Sequence, residues 1–522
     1  MSTLLSHDFY TWTYSIVFQR LQVIVMSARF EEEGVQRAVK GYEVESSESV
    51  GRRLVAAKDT VAGEVVLKVL PLATGPMQGE QAPCLVCYRP LQERVHCCPD
   101  CGWPLCSQGC SNHARHAPEC LATAATGVKI SFEDPTQWDS LYDCVFLLRC
   151  LSLRISSPSS WNQIQLMETH DNIKRPSNHR RRSEALAALF TARFGNAYGA
   201  KTRDILHIIA TLEINAMEVT SEGRSLQALY PEAFYTEHSC VPTSFRVFGS
   251  LEEGFPLVVH AAVNISKGSP ISLTYTDSLW GTLERRTHLY YSKFFLCNCE
   301  RCSDREELGA CLTGLKCDKC GDCVLPVDPL SKGWLKGGKA ESLENWSCKG
   351  CKERVTGKMA RKIVWDASEA IKELENDEDV DIDRYEMVLE MLQKRLHSQH
   401  SLVVDLKHSI IHILNPPESI SDDQLIWKEK LARDVIQVAN ILFPGISLLK
   451  GACLYELAST LLEKTRRDQH GIACQLDIRK EAEKYLEESI YHLHYQPKCQ
   501  PEYLLLIEAR EKLKRISTVK NG

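Results

Sequence analysis

The chain has no run of twenty apolar residues, so no segment reads as a membrane-crossing helix. The nearest candidate, Tyr14–Met26, is too short and is interrupted by Gln19, Arg20 and Gln22. No charged stretch with an apolar core and a small-residue cleavage site opens the sequence, so a secretory route and a disulfide framework are not expected. An excess of one charge is also lacking. The 62 Lys and Arg against 68 Asp and Glu leave −6, which gives no general case for nucleic-acid binding. The one basic cluster, Lys174-Arg175 with His179 and Arg180–Arg182, lies in polar surroundings and reads as a solvated loop. What remains, 44% hydrophobic and 25% charged over 522 residues, is the composition of a soluble globular protein of several domains.

Cysteine, by contrast, is abundant: 23 residues, most of them at metal-ligand spacing. The first array reads Cys84-x2-Cys87, Cys98-x2-Cys101, Cys106-x3-Cys110 and His116-x3-Cys120. Thiolates two residues apart can share one cation, because the intervening turn brings both sulfurs to the same side, and tetrahedral zinc takes two such pairs. Eight ligands therefore predict two zinc ions in a small module with little hydrophobic core. Cys97 could replace Cys98, but Cys98 has the better spacing to Cys101. The second array, Cys297-x-Cys299-x2-Cys302, is one ligand short. Cys240 is the best upstream candidate, and such a distant ligand would let zinc fold a site rather than only a subdomain. The third array joins Cys317-x2-Cys320 to Cys348-x2-Cys351, with Cys323 competing for the place of Cys317. About four zinc ions follow, and unpaired thiols at this spacing point to a reducing compartment, cytoplasmic and/or nuclear.

Residues 1–45 are unassigned, and Glu45–Ser49 reads as a loop. Leu54–Ala57 and Val65–Leu70 around the turn Ala62-Gly63 read as a β-hairpin. From Trp138 to Thr220 the apolar spacing is mostly helical, as in Leu141, Cys144, Val145 and Leu148. A second β-rich stretch begins at Phe245, with Leu257–Val263 and Ile271–Tyr275 flanking the turn Ser266-Lys267-Gly268. Beyond about residue 356 the pattern is amphipathic helix. Tyr385, Val388, Leu392 and Leu396 share one face, as do Leu454, Leu457 and Leu461, and Ala482, Leu486 and Ile490. Antiparallel helix pairs are expected, somewhat like tetratricopeptide repeats but without a strict period. The acidic run Glu375–Asp383 reads as a solvated inter-helix loop.

In order, the chain carries a β-hairpin, a cysteine finger of MYND type, the element His238-Ser239-Cys240-Val241-Pro242, Tyr275 in a strand, CxCxxC and a helical tail. This combination resembles the SMYD lysine methyltransferases, and Tyr275–Arg286 with the extra CxxC ribbon resembles their arthropod SmydA-like branch. The resemblance implies an α+β fold: a split SET-type domain of small twisted sheets, an inserted MYND finger, a post-SET zinc site and a C-terminal tetratricopeptide-like helical domain. Domains are expected at 46–83 (first SET part), 84–120 (finger), 121–225 (helical insertion), 226–295 (SET core), 296–355 (post-SET zinc region and ribbon) and 356–522 (tail). It implies S-adenosylmethionine as cofactor and in-line methyl transfer to a neutral lysine amine. By motif position Tyr275 matches the tyrosine at the transfer point, and Asn215 matches the asparagine at the cofactor's amino-acid end. His238 and Phe295 match the backbone and ring that meet the adenine, Gly51-Arg52 matches the loop over the cofactor, and Met217 departs from the pattern, standing where an aromatic usually walls the lysine channel.

Glu237 departs from the pattern, standing where the family has Asn beside a cofactor that carries its own carboxylate. Like charges in a half-dry site cost about 1–3 kcal/mol. Gly268-Ser269-Pro270 in place of the usual acidic pair after the turn glycine, and Arg53 in place of a loop glycine, are further departures. Two functions are therefore expected to compete. One is transfer of methyl groups to lysines of histone or non-histone proteins. The other is a catalytically weak or inactive scaffold that binds protein partners in transcriptional regulation. A monomer is expected, with no membrane or specific nucleic-acid partner, and a finger groove for proline-rich peptides, with Trp103 and Pro104 either walling it or packing in the finger's core.

Overall fold

The computed structural model describes residues 41–47, 51–77, 82–91, 95–131, 138–170, 177–333, 345–376, 381–467 and 472–519. Residues 1–40, Lys174, Arg175 and the centre of the acidic run lie outside them. The chain is α+β and divides into two compact units, each discontinuous in sequence. Of the described residues, one comprises Gly41, Val65–Tyr235 and Val247–Val259; the other comprises Tyr42–Glu64, Thr236–Arg246 and the residues from His260 onward.

The first unit contains the finger and helices α1 (Ala117–Ala124), α2 (Trp138–Ser156), α3 (Pro158–Gln165), α4 (Ser177–Phe194) and α5 (Thr202–Asn215). Its sheet has the antiparallel order Ala73–Pro76, Arg224–Leu229, Met217–Ser221. The last two strands meet at Glu222-Gly223, both at positive φ as a two-residue hairpin turn requires. Helix α2 buries Leu141, Cys144, Val145, Leu148 and Leu151, the 3.6-residue stripe visible in the sequence. Burying each such aliphatic side chain contributes about 1.5–3 kcal/mol. Arg180–Arg182 belong to α4 rather than to a loop, with Arg180 bonded one turn on to Glu184 at 2.8 Å.

In the second unit Gly51–Ala56 pairs with Tyr42–Ser47, so the presumed loop at 45–49 begins as strand and the first strand starts inside the unassigned segment. Val65–Val69, which belongs to the first unit, lies instead beside the strand that starts at Leu257, so the expected hairpin of 54–57 with 65–70 does not form. Two strands separated by a Gly turn look like a hairpin in any sequence; here each finds its partner elsewhere. Glu237–His238 pairs in parallel with Ser272–Leu273. Tyr275 falls two residues beyond that short strand rather than within it. The ribbon is a four-stranded antiparallel meander from Leu315 to Thr356.

Helix α6 (Thr282–Ser292) precedes the zinc-type region, and α7 to α13 form the tail: Gly357–Glu375, Ile382–Arg395, Ser401–Ile413, Asp422–Leu442, Leu448–Arg467, Ile472–Leu493 and Glu502–Val519. Successive tail helices pack on one another around a core that includes Leu396, Ile410, Val435, Leu457 and Leu486. Asp381 caps α8, so the acidic run ends as a helix start.

Buried His400 caps α9, its Nδ1 accepting from the Leu402 amide at 3.2 Å. Burial lowers its pKa from the ordinary 6.5 to about 3. Above pH 6.5 both states are neutral. Below it the unfolded chain takes up a proton that the folded chain refuses, so stability is lost as pH falls, by up to about 1.4 kcal/mol per pH unit. His400→Asn keeps a competent cap, and urea unfolding should show a smaller loss between pH 6.5 and 4 than in the wild type.

Candidate active site and metal centres

The finger resolves into two interleaved sets, Cys84/Cys87/Cys106/Cys110 and Cys98/Cys101/His116/Cys120, each with ligand atoms within 4.8 Å of one another. The sulfurs of Cys87 and Cys106 are 3.5 Å apart, those of Cys106 and Cys110 3.4 Å, and those of Cys98 and Cys120 3.9 Å. A tetrahedral zinc with Zn–S near 2.3 Å needs about 3.8 Å, so these sets fit the ion. Cys97 is exposed and outside both sets, which leaves Cys98 as the ligand.

Behind His116 stands a relay that the spacing rules did not identify. His116 Nδ1 meets Glu119 Oε1 at 3.1 Å, and Arg149 of α2 holds both oxygens of Glu119 at 2.6 and 3.0 Å. Arg149 also donates to the Leu85 and Thr74 carbonyls and the Tyr88 hydroxyl. Burial opposes the Glu119 charge, but Arg149 outweighs it and keeps the carboxyl below its usual range. A carboxylate behind a ligand histidine fixes the ring and raises its basicity. Trp103 is fully buried, donating to Thr123 Oγ1 at 2.9 Å, and Pro104 is buried beside it. They are core rather than groove walls, so any proline-rich peptide must use another face.

The third set is Cys240/Cys297/Cys299/Cys302, which brings the distant fourth ligand to the CxCxxC segment. Cys240 Sγ lies 3.9 Å from Cys297 Sγ and 3.6 Å from Cys302 Sγ. Fully buried Arg285 on α6 donates to Cys240 Sγ at 3.2 Å and to Glu307 at 3.0 Å. Burial opposes its charge, but Glu307 and the thiols overcome this and raise its pKa. Arg301, equally buried, binds the carbonyls of Cys240, Ser278 and Trp280 at 3.3, 2.9 and 3.1 Å. Arg286 holds the Cys297 carbonyl at 3.0 Å. Arg285 and Arg286 close the stretch Tyr275–Arg286 that carries the arthropod resemblance, but neither they nor Arg301 was assigned a role from the sequence.

Two residues that the resemblance matches to the transfer site, His238 and Tyr275, connect directly to that set. His238 Nε2 is 3.3 Å from Cys240 Sγ, and its Nδ1 accepts the backbone amide of Tyr275 at 3.0 Å. The ring is thus the donor on one side and the acceptor on the other. Its centroid lies 5.2 Å from that of Tyr275 and 5.9 Å from that of Phe295. The Tyr275 hydroxyl donates to the Thr236 carbonyl. Burial is the main cause that pushes its pKa up to about 12. Glu237 meets Arg53 Nη1 at 3.7 Å, and Arg53 Nε bonds Glu45 at 2.7 Å. Arg52 is exposed on the same strand, so its neighbour Arg53 is the one that reaches Glu237.

In the first unit, Asn215 ends α5 with Nδ2 donating to the Glu168 and Thr211 carbonyls, both at 2.8 Å. Met217 opens the following strand and is half-buried. The fourth set is Cys317/Cys320/Cys348/Cys351, with Sγ separations of 3.6 Å for Cys317–Cys351 and 3.5 Å for Cys320–Cys348. Cys323 packs against Cys311 in the core instead.

The SET domain-containing protein SmydA-8 of Drosophila melanogaster, isoform A, is 30% identical to the chain over 296 residues, 54% of this chain and 61% of the relative. The match thus spans about three fifths of that relative's length. Histone-lysine N-methyltransferase ASHR1 of Arabidopsis thaliana is 24% identical over 438 residues, 78% of this chain and 83% of that one. N-lysine methyltransferase SMYD2 of Homo sapiens is 28% identical over 105 residues, 19% and 23% of the two chains. A solved SET domain of LSMT, bound to lysine and AdoHcy, covers 97% of this chain and 93% of that one at 11% identity and a TM-score of 0.32, a likeness on which nothing here rests. No family model matches the chain. By sequence the chain is similar to SET-domain proteins. Within that class its likeness is to the SMYD type, with an arthropod SmydA-like character.

Glu119→Gln should weaken zinc at the Cys98/Cys101/His116/Cys120 set by about 10- to 100-fold while sparing the other sets. Chelator competition with metal counting should find one ion released early.

Proposed function

We propose that the chain is a protein-lysine methyltransferase that uses S-adenosylmethionine, with four structural zinc ions held by the four sets. The observation that carries this reading is the convergence of the Tyr275 hydroxyl and the Thr236 carbonyl, beside a histidine clamped to the third set. When bound, the cofactor supplies an electrophilic methyl on a sulfonium. The chain supplies oxygen dipoles, from the Tyr275 phenol and the Thr236 carbonyl, of the kind that attract a polarised methyl. With its pKa pushed to about 12, Tyr275 keeps its proton at neutral pH and acts by position and dipole, not as a general base. Phe295 and the backbone at His238 would hold the adenine.

The rival reading, a scaffold without turnover, rests on Glu237. The Arg53 contact weighs against it. Two of the departures from the family pattern, Glu237 and Arg53, meet in one ion pair, so the carboxylate of Glu237 presents less net charge to a cofactor carboxylate. A histone or non-histone lysine as substrate, a monomeric state and a cytoplasmic and/or nuclear site of action belong to this proposal.

Calorimetric titration of S-adenosylmethionine tests the pair. Arg53→Ala should weaken binding by about tenfold or more, because Glu237 then stands unpaired, and adding Glu237→Asn should restore it. Equal binding by wild type and Arg53→Ala would show that the pair does not matter. Absence of binding by every variant would defeat the methyltransferase reading.

Tyr275→Phe should lower methyl transfer by about 10²- to 10³-fold with zinc content and melting temperature unchanged. Undiminished transfer would remove the hydroxyl from the mechanism.

A further inference from the structure

Helix α9 carries two histidines one turn apart that the proposed chemistry does not use. His408 Nε2 and His412 Nε2 lie 3.2 Å from each other, with ring centroids 4.6 Å apart and planes at 89°. Two imidazole nitrogens on a single ion, each about 2.0–2.1 Å from it at tetrahedral or octahedral angles, stand about 2.9–3.4 Å apart. The observed separation falls inside that range. Residues four apart on a helix share a face, which is the spacing that lets paired histidines chelate one cation. His408 is half-buried and His412 exposed, so the pair has a solvent side from which an ion can enter.

We propose that His408 and His412 form a fifth metal centre, a bis-imidazole chelate for one divalent transition ion such as Zn2+. It is distinct from the four cysteine-rich sets. Imidazole pairs suit zinc, nickel and copper over magnesium or calcium, which prefer oxygen donors.

The surroundings have the charge such a site needs. Asp405 lies one turn before His408 on the same helix. Asp277, two residues past Tyr275, acts on both His408 and Asp405, and Glu456 also acts on His408. Packing and the neighbouring His412 hold the His408 ring neutral, the form that binds metal. With only two protein ligands the ion keeps positions for water or a carboxylate, so the site binds far more weakly than the four-ligand sets and is filled only after them.

The test uses the full-length protein with its cysteine-rich sets already loaded, dialysed against free Zn2+ and counted by metal analysis. One ion beyond the loaded complement is expected in the wild type. His412→Gln, an exposed substitution that leaves the fold intact, and His408→Gln should each lower its affinity by at least about tenfold. Added Zn2+ should raise the melting temperature of the wild type more than that of His412→Gln. The proposal is overturned if the loaded wild type takes up no further ion at up to about 1 mM Zn2+. It is equally overturned if the extra ion binds His412→Gln as tightly as the wild type.

Discussion

Four thiolates around one divalent ion leave two uncompensated negative charges, and three thiolates with an imidazole leave one. An interior does not hold such charge without partners. In this protein the partners are arginines placed on helices. Arg285 of α6 reaches the sulfur of Cys240 while its other nitrogens bind Glu307 and Thr282. Arg301 ties the Cys240 carbonyl to those of Ser278 and Trp280. In the finger the compensation is indirect, since Arg149 acts on His116 through Glu119. Helix α6, the loop at 278–280 and the finger's seat on α2 all take their positions from these contacts.

His238 carries that order to Tyr275. One nitrogen faces Cys240 and the other fixes the Tyr275 amide, so the backbone of the tyrosine is set by the cysteine set, not by the two-residue strand before it. A short strand holds a loop poorly, and a histidine locked on both sides replaces it. The tyrosine's hydroxyl then needs only the Thr236 carbonyl to complete its orientation.

The ligand sets were legible because spacing alone determines which sulfurs can share an ion. Even the distant Cys240 followed from a ligand count that did not close. The α+β character and the helical tail were legible from periodicity. The partners of Gly51–Ala56 and Val65–Val69 were not, because strand pairing is non-local and a Gly turn between two β-rich runs fits many topologies. Arg149, Arg285 and Arg301 escaped notice for a different reason: a buried arginine looks like a surface one until its partners are known. Glu119, three residues after a ligand histidine and adjacent to a ligand cysteine, was the one such group with a readable signal. The basic run in α4 was misjudged because charge density resembles a loop when one helical face is solvated. Trp103 was open in the sequence between groove wall and core, because a tryptophan between ligands fits both, and its burial decides for the core.

The order in which the second unit is made conflicts with the order in which it closes. Gly63, at φ +89, approaches Tyr495 so closely that a Cβ there would lie 2.0 Å from the phenol oxygen. The rings of Phe245, His260 and Tyr495 pack around the same place, 5.3–5.7 Å apart. About 430 residues separate Gly63 from Tyr495, which at ribosomal speed is a wait of roughly 20–90 s. Throughout that interval the strand bearing Leu54 and Val55 has been synthesised, but the tail that completes its unit has not. Closure of this unit therefore waits on residues made long after its first strands, whose apolar side chains stay without their native cover until Tyr495 has emerged.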